Sequence, residues 1–514
     1  MPDVILTTLN AKYIHASLGL RYLLANMARH GSEDLRALTV LREFTIARKP
    51  QEVVDALLCE LGDSKQPKII GFGVYIWNVL KTTEVVRLLK LARPDVKLVL
   101  GGPEVSHEWE AQEIVELADH VITGWGDVSF PKLCRALLHG PQPQEKVIPG
   151  EQPPLDRIVM PYAAYSDADL AHRLLYVEAS RGCPFKCEFC LSSLDKPAQA
   201  FALDGFLAEI DKLYQRGARN FKFVDRTFNL KIDSAIRILQ FFLERLSEDL
   251  FLHFEVVPDH LPDNLKLMIA QFPPGVLQLE IGIQSFNPEV QQRISRRQDN
   301  GQSEANLRWL AERSHAHLHT DLVFGLPGET LESFAAGFDR LYALHPHEIQ
   351  LGILKRLRGA PIARHTAEHG MQYDPQPPYM VQQTGAVDAA TMQRFTRLAR
   401  YWDLLANSGR FKQGMALLLQ GPSPFGAFLN FADWLWQTTR RTSGLSPEML
   451  TDALFDYLIG IGGLPPESIR ASLLADYLAS GARASPACLR GMLKSQDTPL
   501  PKTARALVQR QARH

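Results

Sequence analysis

The sequence predicts an α/β protein with a helical carboxyl-terminal part, and two observations support this fold class. Short β-branched or aliphatic runs alternate with amphipathic helical stretches from residue 1 to about 140, and the alternation returns from about 161 to 375. After that point the strand pattern stops and long helical stretches follow. We therefore expect parallel sheets with intervening helices in the first two parts, and helices in the third.

Breaks in this pattern predict the domain boundaries. A proline-rich linker at 141–160 separates a first domain at 1–140 from a second at 161–375. The run Pro375-Gln376-Pro377-Pro378 ends the second domain, and a helical third domain covers 376–514. Its predicted helices lie at 388–407, 447–459 and 466–479.

Composition excludes few classes of function. The 514 residues are 46% hydrophobic and 22% charged, which is ordinary for a globular protein. The net charge of −1 gives no overall field that attracts nucleic acid or anionic membrane, so neither is an expected partner. The amino terminus lacks a positive n-region and a long apolar h-region, and no apolar run approaches the ~20 residues that span a bilayer. A cytoplasmic location is expected.

In the first domain, four predicted strands alternate with predicted helices. The strands start near Val4, Lys68, Lys97 and His120, and helices are predicted at 50–61, 81–92 and 108–117. This order is typical of a doubly wound parallel sheet with right-handed crossovers. Ligands of such sheets bind beyond the carboxyl ends of the strands.

Those strand ends carry glycines and large aromatic residues. Glycine lets the backbone approach a ligand closely, and flat rings suit a broad, planar ligand. No G-x-G-x-x-G opens a helix after the first strand, which argues against a dinucleotide fold. The candidate binding residues are Gly73, Tyr75, Trp77, Gly102, Pro103, Glu104, Gly124 and Gly126.

Three of the six cysteines, Cys183, Cys187 and Cys190, lie within eight residues after a predicted buried strand. Tetrahedral zinc needs four ligands, and no fourth Cys or nearby His follows the third cysteine. Three thiolates suit a [4Fe–4S] cluster that keeps one iron open, with a zinc knuckle or three unrelated thiols as alternatives. The aromatic Phe189 suits a tight loop shielded from water.

Other possible ligands have simpler interpretations. His315, His317 and His319 alternate along a predicted strand and share one face. They lie at its start, whereas catalytic groups in βα barrels gather at strand ends. The isolated cysteines are expected to be small core residues rather than disulfide partners, and they are Cys59, Cys134 and Cys488.

Polar residues gather at later strand ends of the second domain. Asp225 follows one predicted strand. In the second strand after it, polar and apolar residues alternate, so Glu280 and Gln284 share a face, which we interpret as a barrel interior. A later strand ends in the turn Gly-Leu-Pro-Gly-Glu-Thr from Gly325 to Thr330. The glycines of this turn permit close backbone approach.

The C-x₃-C-x₂-C spacing and the Gly-Leu-Pro-Gly-Glu-Thr turn resemble the radical S-adenosylmethionine (SAM) superfamily. The resemblance implies a partial (β/α)₆ barrel in which SAM occupies the open iron. In place of the family's usual Gly-Gly-Glu, Asp225 is assigned to the SAM amino group. The other implied SAM-binding residues are Gln284 and Ser285 near the ribose, Arg296 at the carboxylate, and Gly325 and Glu329 near the adenine and ribose.

The first domain resembles the Rossmann-like cobalamin-binding domain of B12-dependent radical SAM proteins. The turns Gly-Gly-Pro-Glu-Val-Ser, from Gly101, and Gly-Trp-Gly-Asp, from Gly124, are close to loops of that family. The D-x-H-x-x-G signature of a cobalt-ligating His is missing. His15 is therefore interpreted as a helix-entry or phosphate-contacting residue, while the resemblance implies cobalamin as a second cofactor.

The chain thus resembles a subgroup of cobalamin-dependent radical SAM proteins that carries a helical C-terminal domain. The implied chemistry is cluster reduction by an external donor of the flavodoxin or ferredoxin type, SAM cleavage to a 5′-deoxyadenosyl radical, and methyl transfer through cobalamin to an unactivated carbon. The expected substrate is an unidentified small molecule or peptide. The alternatives are a non-methylating oxidation, rearrangement or cyclisation, a tRNA methylthiotransferase, and a non-enzymatic corrinoid or iron–sulfur sensor.

Overall fold

A computed structural model describes residues 1–62, 66–195, 197–460, 463–482 and 485–493. They fall into two compact units. The first unit comprises Met1–Glu255, Lys355–Arg364 and Asp374–Met380, and the second comprises Val256–Leu354, His365–Tyr373 and the described residues from Val381 onwards. Residues 494–514 of the predicted third domain lie outside the described residues.

A six-stranded parallel sheet begins the first unit. Its strands are β1 (Val4–Asn10), β2 (Thr39–Thr45), β3 (Ile69–Gly73), β4 (Lys97–Gly101), β5 (His120–Thr123) and β6 (Val147–Pro149). Its helices are α1 (Leu18–His30), α2 (Glu33–Ala37), α3 (Pro50–Leu61), α4 (Val79–Ala92), α5 (Glu113–Leu117) and α6 (Ser129–His139). The strand order β2-β1-β3-β4-β5-β6, parallel throughout, confirms the doubly wound prediction.

Two hydrophobic layers flank this sheet. Ile5 and Ile70 pack with the α3 residues Val53 and Leu57 on one face. On the other face, Leu6 packs with residues of α1 and α6. Because successive side chains of a strand point to opposite faces, the fully buried β1 supplies both layers.

Four local predictions differ from the structure. The predicted linker at 141–160 contains β6, which pairs with β5 at the edge of the sheet. The edge strand β2 was not predicted, because its sequence, Thr-Val-Leu-Arg-Glu-Phe-Thr, mixes polar and apolar residues and is only half-buried. The helix predicted at 108–117 is a 3₁₀ turn, Trp109–Ala111, followed by the short α5. Cys134 is buried in the core as predicted, but Cys59 is exposed on α3, where the prediction of a core position is wrong.

The rest of the first unit continues the βα pattern. Its elements are α7 (Asp167–His172), β7 (Leu175–Val177), β8 (Ser180–Arg181), β9 (Gln199–Ala200), α8 (Leu203–Gln215), β10 (Asn220–Phe223), α9 (Ile232–Leu243) and β11 (Phe251–Val256). β10 pairs in parallel with β7 and β11. Phe223 of β10 packs against Phe206 of α8, Phe242 of α9 and Phe254 of β11, so helices on both sides of β10 in the chain pack against this strand.

The second unit adds three parallel strands and the helical region. Its elements are α10 (Asp263–Ile269), β12 (Leu277–Gln284), α11 (Pro288–Arg293), α12 (Asn300–Arg313), β13 (His317–Phe324), α13 (Leu331–Tyr342), β14 (Glu348–Ile353), β15 (Gln372–Tyr373), β16 (Val381–Gln383), α14 (Ala389–Trp402), α15 (Lys412–Leu418), α16 (Pro424–Thr439), α17 (Pro447–Gly460) and α18 (Pro466–Ser480). β13 pairs with β12 and β14. Trp402 of α14 donates to the Ile349 carbonyl of β14, 2.8 Å away, so helical region and strands share one core.

The three helices predicted after residue 375 are present as α14 with a following π-helical turn, α17 and α18. Across the part of the chain that the structure describes, no helix is both long enough and apolar enough to cross a bilayer.

Candidate functional site

The first site element is the gap between the carboxyl ends of β1 and β3, where the strand order reverses. Asn78 holds this point together, because its amide Nδ2 donates to the carbonyls of Leu9 and Gly73, each 3.1 Å away. The Thr8 hydroxyl also donates to the Gly73 carbonyl at 2.7 Å. In doubly wound sheets this switch point is where ligands bind.

Two glycine turns form the neighbouring surface at the ends of β4 and β5. Gly102 has φ +111°, and a Cβ there would lie 2.4 Å from the Val74 carbonyl oxygen, so only glycine fits. The Ser106 hydroxyl donates to the Gly102 carbonyl at 2.8 Å and accepts from the Gly124 amide at 3.0 Å, which joins the two turns. We call residues Gly102–Ser106 and Gly124–Asp127 the floor turns.

Aromatic side chains adjoin the floor turns. Tyr75 and Trp77 stack with ring centroids 4.5 Å apart and planes only 7° from parallel. Trp77 is 48% exposed, so much of this large ring remains available to a ligand. A stacked, partly open aromatic pair suits a planar group.

Two cavities open on the floor turns. One of about 460 Å³ reaches from Gly73, Tyr75 and the floor turns to Arg181 and Arg226. The other, of about 740 Å³, is lined by Trp77, Gly102, Pro103, Glu104 and Gly124, together with Phe189 and Cys190. Both volumes lie in the range of cofactor and small-molecule sites. A Cβ at Gly124, which lines both cavities, would meet no atom within 4 Å, so the bare backbone leaves room for a ligand.

These cavities bring together many of the residues that the sequence singled out for cobalamin and the cluster. Every predicted cobalamin-binding residue lines at least one of them. Their placement around the cavities fits the predicted cobalamin site. The role of each residue in binding cobalamin remains a prediction. His15 lines neither; its Nδ1 lies 2.8 Å from the Tyr176 hydroxyl of β7, and it takes no part in the floor.

The cluster loop, residues Gly182–Asp195, follows β8. Cys183 is buried and its amide donates to the Asp195 carbonyl at 3.1 Å, while the Cys190 amide donates to the Cys187 carbonyl at 3.2 Å. The Asp195 carboxylate accepts from the Trp125 indole at 3.1 Å. The loop that carries the first cysteine is therefore fastened to a floor turn.

The Sγ atoms of the three cysteines do not all lie within 4.8 Å of one another. Among the described residues, the one group of His, Cys, Asp or Glu whose ligand atoms all lie within 4.8 Å is His365, Glu368 and His369. In that group Glu368 is 77% exposed and stays hydrated without an ion. Thiolates spread along a short loop fit a multi-iron cluster, in which each binds a different iron, better than zinc.

Asp225, predicted to bind the SAM amino group, is buried and faces the start of the cluster loop. Its carboxylate accepts from the Ser180 hydroxyl at 2.6 Å and the Ala179 amide at 2.9 Å. Burial raises the pKa of Asp225 to about 7, and these hydrogen bonds oppose that rise. The contacts give Asp225 a role in holding the residues before Cys183, and contact with SAM remains a prediction.

The other predicted SAM-binding residues belong to the second unit. The Ser285 hydroxyl donates to the Glu329 carboxylate, which is fully buried. Burial raises the pKa of Glu329, and its Oε1 has no hydrogen-bond partner among the described residues. An orphaned buried oxygen fits an incoming ligand hydroxyl.

The backbone around this pair is unusual. Gln284 ends β12 with φ +69°, and Gly325 has φ +84° with a Cβ position 2.5 Å from Val381. Arg296 donates to the Gly282 carbonyl and to Gln298. Positive φ at a non-glycine residue marks a strained position of the kind that clusters at ligand sites.

The sequence pattern did not reveal a buried ion-pair network in the first unit. Glu43 of β2 accepts from Arg21 at 2.9 Å and Arg173 at 2.6 Å, and Arg21 also pairs with Asp169 at 2.9 Å. All four side chains are at most 11% exposed. These pairs join α1 and β2 to the segment before β7. In the sequence, an arginine among the apolar residues of α1, Arg21, is the one feature that could have indicated a buried ion pair.

Three protein-family models match successive parts of the chain. The B12 binding domain matches residues 4–134, the Radical SAM superfamily matches 177–341, and the Protein of unknown function family DUF4080 matches 367–513. Together these cover the sheet with the floor turns, the cluster loop with the following βα units, and the helical region.

Related proteins agree with these matches. Uncharacterized methyltransferase PH0819 of Pyrococcus horikoshii is 26% identical over an alignment of 345 residues that covers 62% of this chain and 71% of that protein. Cobalamin-dependent radical SAM methyltransferase TokK of Streptomyces tokunonensis is 24% identical over an alignment of 350 residues that covers 59% of this chain but only 48% of that protein. A structure of the cobalamin-dependent S-adenosylmethionine radical enzyme OxsB shares the fold, with a TM-score of 0.63 at 13% identity, covering 100% of this chain and 84% of that one.

The two domain matches confirm the predicted cofactors, which are a [4Fe–4S] cluster, SAM and cobalamin. The residues that line the two cavities and form the cluster loop suit these groups. The chain thus contains a region that matches the B12 binding domain, followed by a region of the Radical SAM superfamily and a C-terminal DUF4080 region.

Proposed function

We propose that this chain is a cobalamin-dependent radical SAM enzyme that cleaves SAM reductively and transfers a methyl group to an unactivated carbon. The observation that carries the proposal is the 740 Å³ cavity, whose wall contains both Cys190 of the cluster loop and the floor turns. One cavity can therefore expose a substrate to both cofactors. The methyltransferase names of two relatives support the reaction class.

When bound, the cluster supplies the electron, SAM the radical precursor and methyl group, and cobalamin the methyl carrier. Cys183, Cys187 and Cys190 are the residues that would hold the cluster. Phe189, Leu191 and Leu194 line the same cavity, where their apolar side chains exclude water from the reacting groups. Gly102 and Gly124 would let cobalamin approach the backbone in the cavity that Tyr75 and Trp77 also line.

A methylthiotransferase is disfavoured because such enzymes hold a second cluster through amino-terminal cysteines. Only Cys59 and Cys134 precede the cluster loop. Cys134 is buried in the layer against α1 and α6, whereas Cys59 lies on α3, whose side chains pack in the opposite layer. The sheet separates them, so they cannot share a cluster.

Radical SAM enzymes commonly need an external reductant. We propose a flavodoxin or ferredoxin as the donor and a small molecule or peptide as the substrate, which suits a cavity of this size. A cytoplasmic location belongs to the same proposal, because thiols stay reduced there and remain available to hold a cluster.

Anaerobic reconstitution of the full chain with iron, sulfide and hydroxocobalamin tests the proposal. We expect a corrinoid spectrum that persists through gel filtration and, with SAM and dithionite, formation of 5′-deoxyadenosine and methionine. Transfer of label from methyl-labelled SAM into an acceptor distinguishes methylation from oxidation, rearrangement or cyclisation.

The variant Cys183→Ala/Cys187→Ala/Cys190→Ala should abolish SAM cleavage and leave corrinoid binding intact. Cys59→Ala, which removes an exposed thiol elsewhere, is the matched control and should cleave SAM normally. Cleavage that survives in the triple variant, or a wild-type chain that retains no corrinoid, would disprove the two-cofactor proposal.

A further inference from the structure

The segment Lys355–Arg364, which we call the strap, follows β14 and belongs to the first unit. Two of its arginines, Arg356 and Arg358, pair with carboxylates of the first domain. Arg356 donates to both carboxylate oxygens of Glu108, at 3.0 and 3.1 Å, and the Gly359 amide donates to Glu108 at 3.1 Å. The strap is therefore bound to the first domain beside a floor turn.

The strap also contacts Glu104, which follows Pro103 in a floor turn and is only 4% exposed. Glu104 Oε1 accepts from Arg358 Nε at 3.0 Å and from the Tyr379 hydroxyl at 2.5 Å. Arg358 Nε also lies 3.1 Å from that hydroxyl, and its guanidinium covers the Tyr379 ring at 4.9 Å. The three side chains form a closed hydrogen-bonded triangle.

This triangle changes the predicted role of Glu104. A buried carboxylate needs charged or hydrogen-bonding partners, and here the chain supplies both. Burial raises the pKa of Glu104, while Tyr379 and Arg358 oppose that rise. The residue is thus satisfied by its own protein, which removes the need for a cobalamin group as its partner.

The triangle is placed to hold the floor in shape. Gly102 and Pro103 line both cavities directly before Glu104, and Ser106 connects this turn to Gly124 of the other floor turn. Leu357, the neighbour of Arg358, lines the 740 Å³ cavity itself. Movement of Glu104 would therefore shift the surface on which cobalamin rests.

We propose that Glu104 is a positioning residue, and that Arg358 and Tyr379, 254 and 275 residues further along the chain, set cobalamin affinity through it without touching the cofactor. This inference rests on the proposed function, because it assumes that the floor turns bind cobalamin. It assigns part of the B12 site to residues outside the B12-binding domain.

The test is an anaerobic titration of the cluster-reconstituted full chain with hydroxocobalamin, followed by its absorption spectrum. We expect Glu104→Gln and Arg358→Gln each to weaken binding by about tenfold or more, since each breaks a buried pair. Tyr379→Phe should weaken it less, and Arg358→Lys should restore part of the affinity. The double variant Glu104→Gln/Arg358→Gln should bind no worse than either single variant, because both changes break one interaction.

Arg356→Gln is the matched control, since its pair with Glu108 lies on the same strap but is about one-third exposed. It should change affinity by less than about twofold. Cluster content and SAM binding are measured on each variant. If both stay normal while cobalamin affinity falls, the floor turn has shifted; if both fall as well, the variant has lost its fold.

Three outcomes decide the matter. Wild-type affinity in both Glu104→Gln and Arg358→Gln would overturn the inference. Weakened binding in Glu104→Gln alone would also overturn it, because Glu104 would then contact cobalamin directly. Failure of the wild-type chain to bind corrinoid would instead count against the proposed function.

Discussion

Arg181 Nη1 lies 2.9 Å from Asp127 Oδ2, which joins the residue two places before Cys183 to the end of a floor turn. The same guanidinium donates to Glu178 at 2.7 Å and covers the rings of Tyr22 at 4.2 Å and Trp125 at 4.9 Å. Its side chain is only 12% exposed. One arginine thus fixes the entry to the cluster loop against the B12-binding domain.

Arg181→Gln should lower the free energy of unfolding by about 3–5 kcal/mol, because it leaves the carboxylates of Asp127 and Glu178 buried without their cation. Denaturant unfolding of the cofactor-free chain measures this. Lys132→Gln is the control: Lys132 pairs with Glu151 at 2.7 Å, but both are more than half exposed, so the loss should be below about 1 kcal/mol. Equal losses in the two variants would contradict the burial argument.

The floor glycines should respond differently to alanine. Gly102→Ala forces a Cβ to within 2.4 Å of the Val74 carbonyl and should destabilise the sheet by more than about 2 kcal/mol. At Gly124 nothing lies within 4 Å, so Gly124→Ala should cost only about 1 kcal/mol of backbone strain and still weaken hydroxocobalamin binding, because its methyl group enters the cavity. Thermal melts and corrinoid titration separate the two effects. Unchanged corrinoid affinity in Gly124→Ala would argue against a ligand at this turn.

Motifs of contiguous residues made much of the site predictable from the sequence. Contacts between residues that are far apart in the chain could not be predicted in this way. The cysteine spacing, the floor glycines and the Gly-Leu-Pro-Gly-Glu-Thr turn are contiguous, so their chemistry can be read directly. Glu43 and Arg173 are 130 residues apart, and Glu104 and Arg358 are 254 apart, and no periodicity links such partners. Asp225 shows an intermediate case: its place at a strand end was predictable, but the direction of its carboxylate depends on Ser180 and Ala179.

Glu329→Gln tests the orphaned oxygen in the second unit. The amide keeps the shape of the buried side chain and its contact with Ser285, so the fold should survive with a loss of about 1–2 kcal/mol. SAM affinity, measured by equilibrium dialysis of the reconstituted chain, should fall by about tenfold, since a charged acceptor makes the stronger hydrogen bond to a hydroxyl. Glu332→Gln, which makes the same change at an exposed carboxylate in the first turn of α13, is the control and should bind SAM normally. Undiminished SAM affinity in Glu329→Gln would remove Glu329 from the SAM site.

The histidines of β13 predict a pH-dependent stability. His319 lies 2.9 Å from Glu348 and 3.3 Å from Asp321. Burial lowers the pKa of His319, but the hydrogen bonds to Asp321 and Glu348 outweigh it and raise the pKa to about 11. Burial likewise opposes the ionised form of Glu348, and His317 and His319 nevertheless hold its pKa well below the usual range.

The sign of the effect follows from these shifts. A folded pKa above the unfolded value of 6.5 means that protonated His319 stabilises the fold fully below pH 6.5, and that this contribution falls as the pH rises towards about 11. His319→Gln should therefore cost about 3 kcal/mol or more at pH 6 and clearly less at pH 9. The Glu348 contribution is present above its unfolded pKa near 4.5, so pH 6 leaves it intact.

His315→Gln, at the exposed first histidine of the triplet, should cost little at either pH. Denaturant unfolding at the two pH values measures the difference, and a loss in His319→Gln that grows with pH would contradict the assignment.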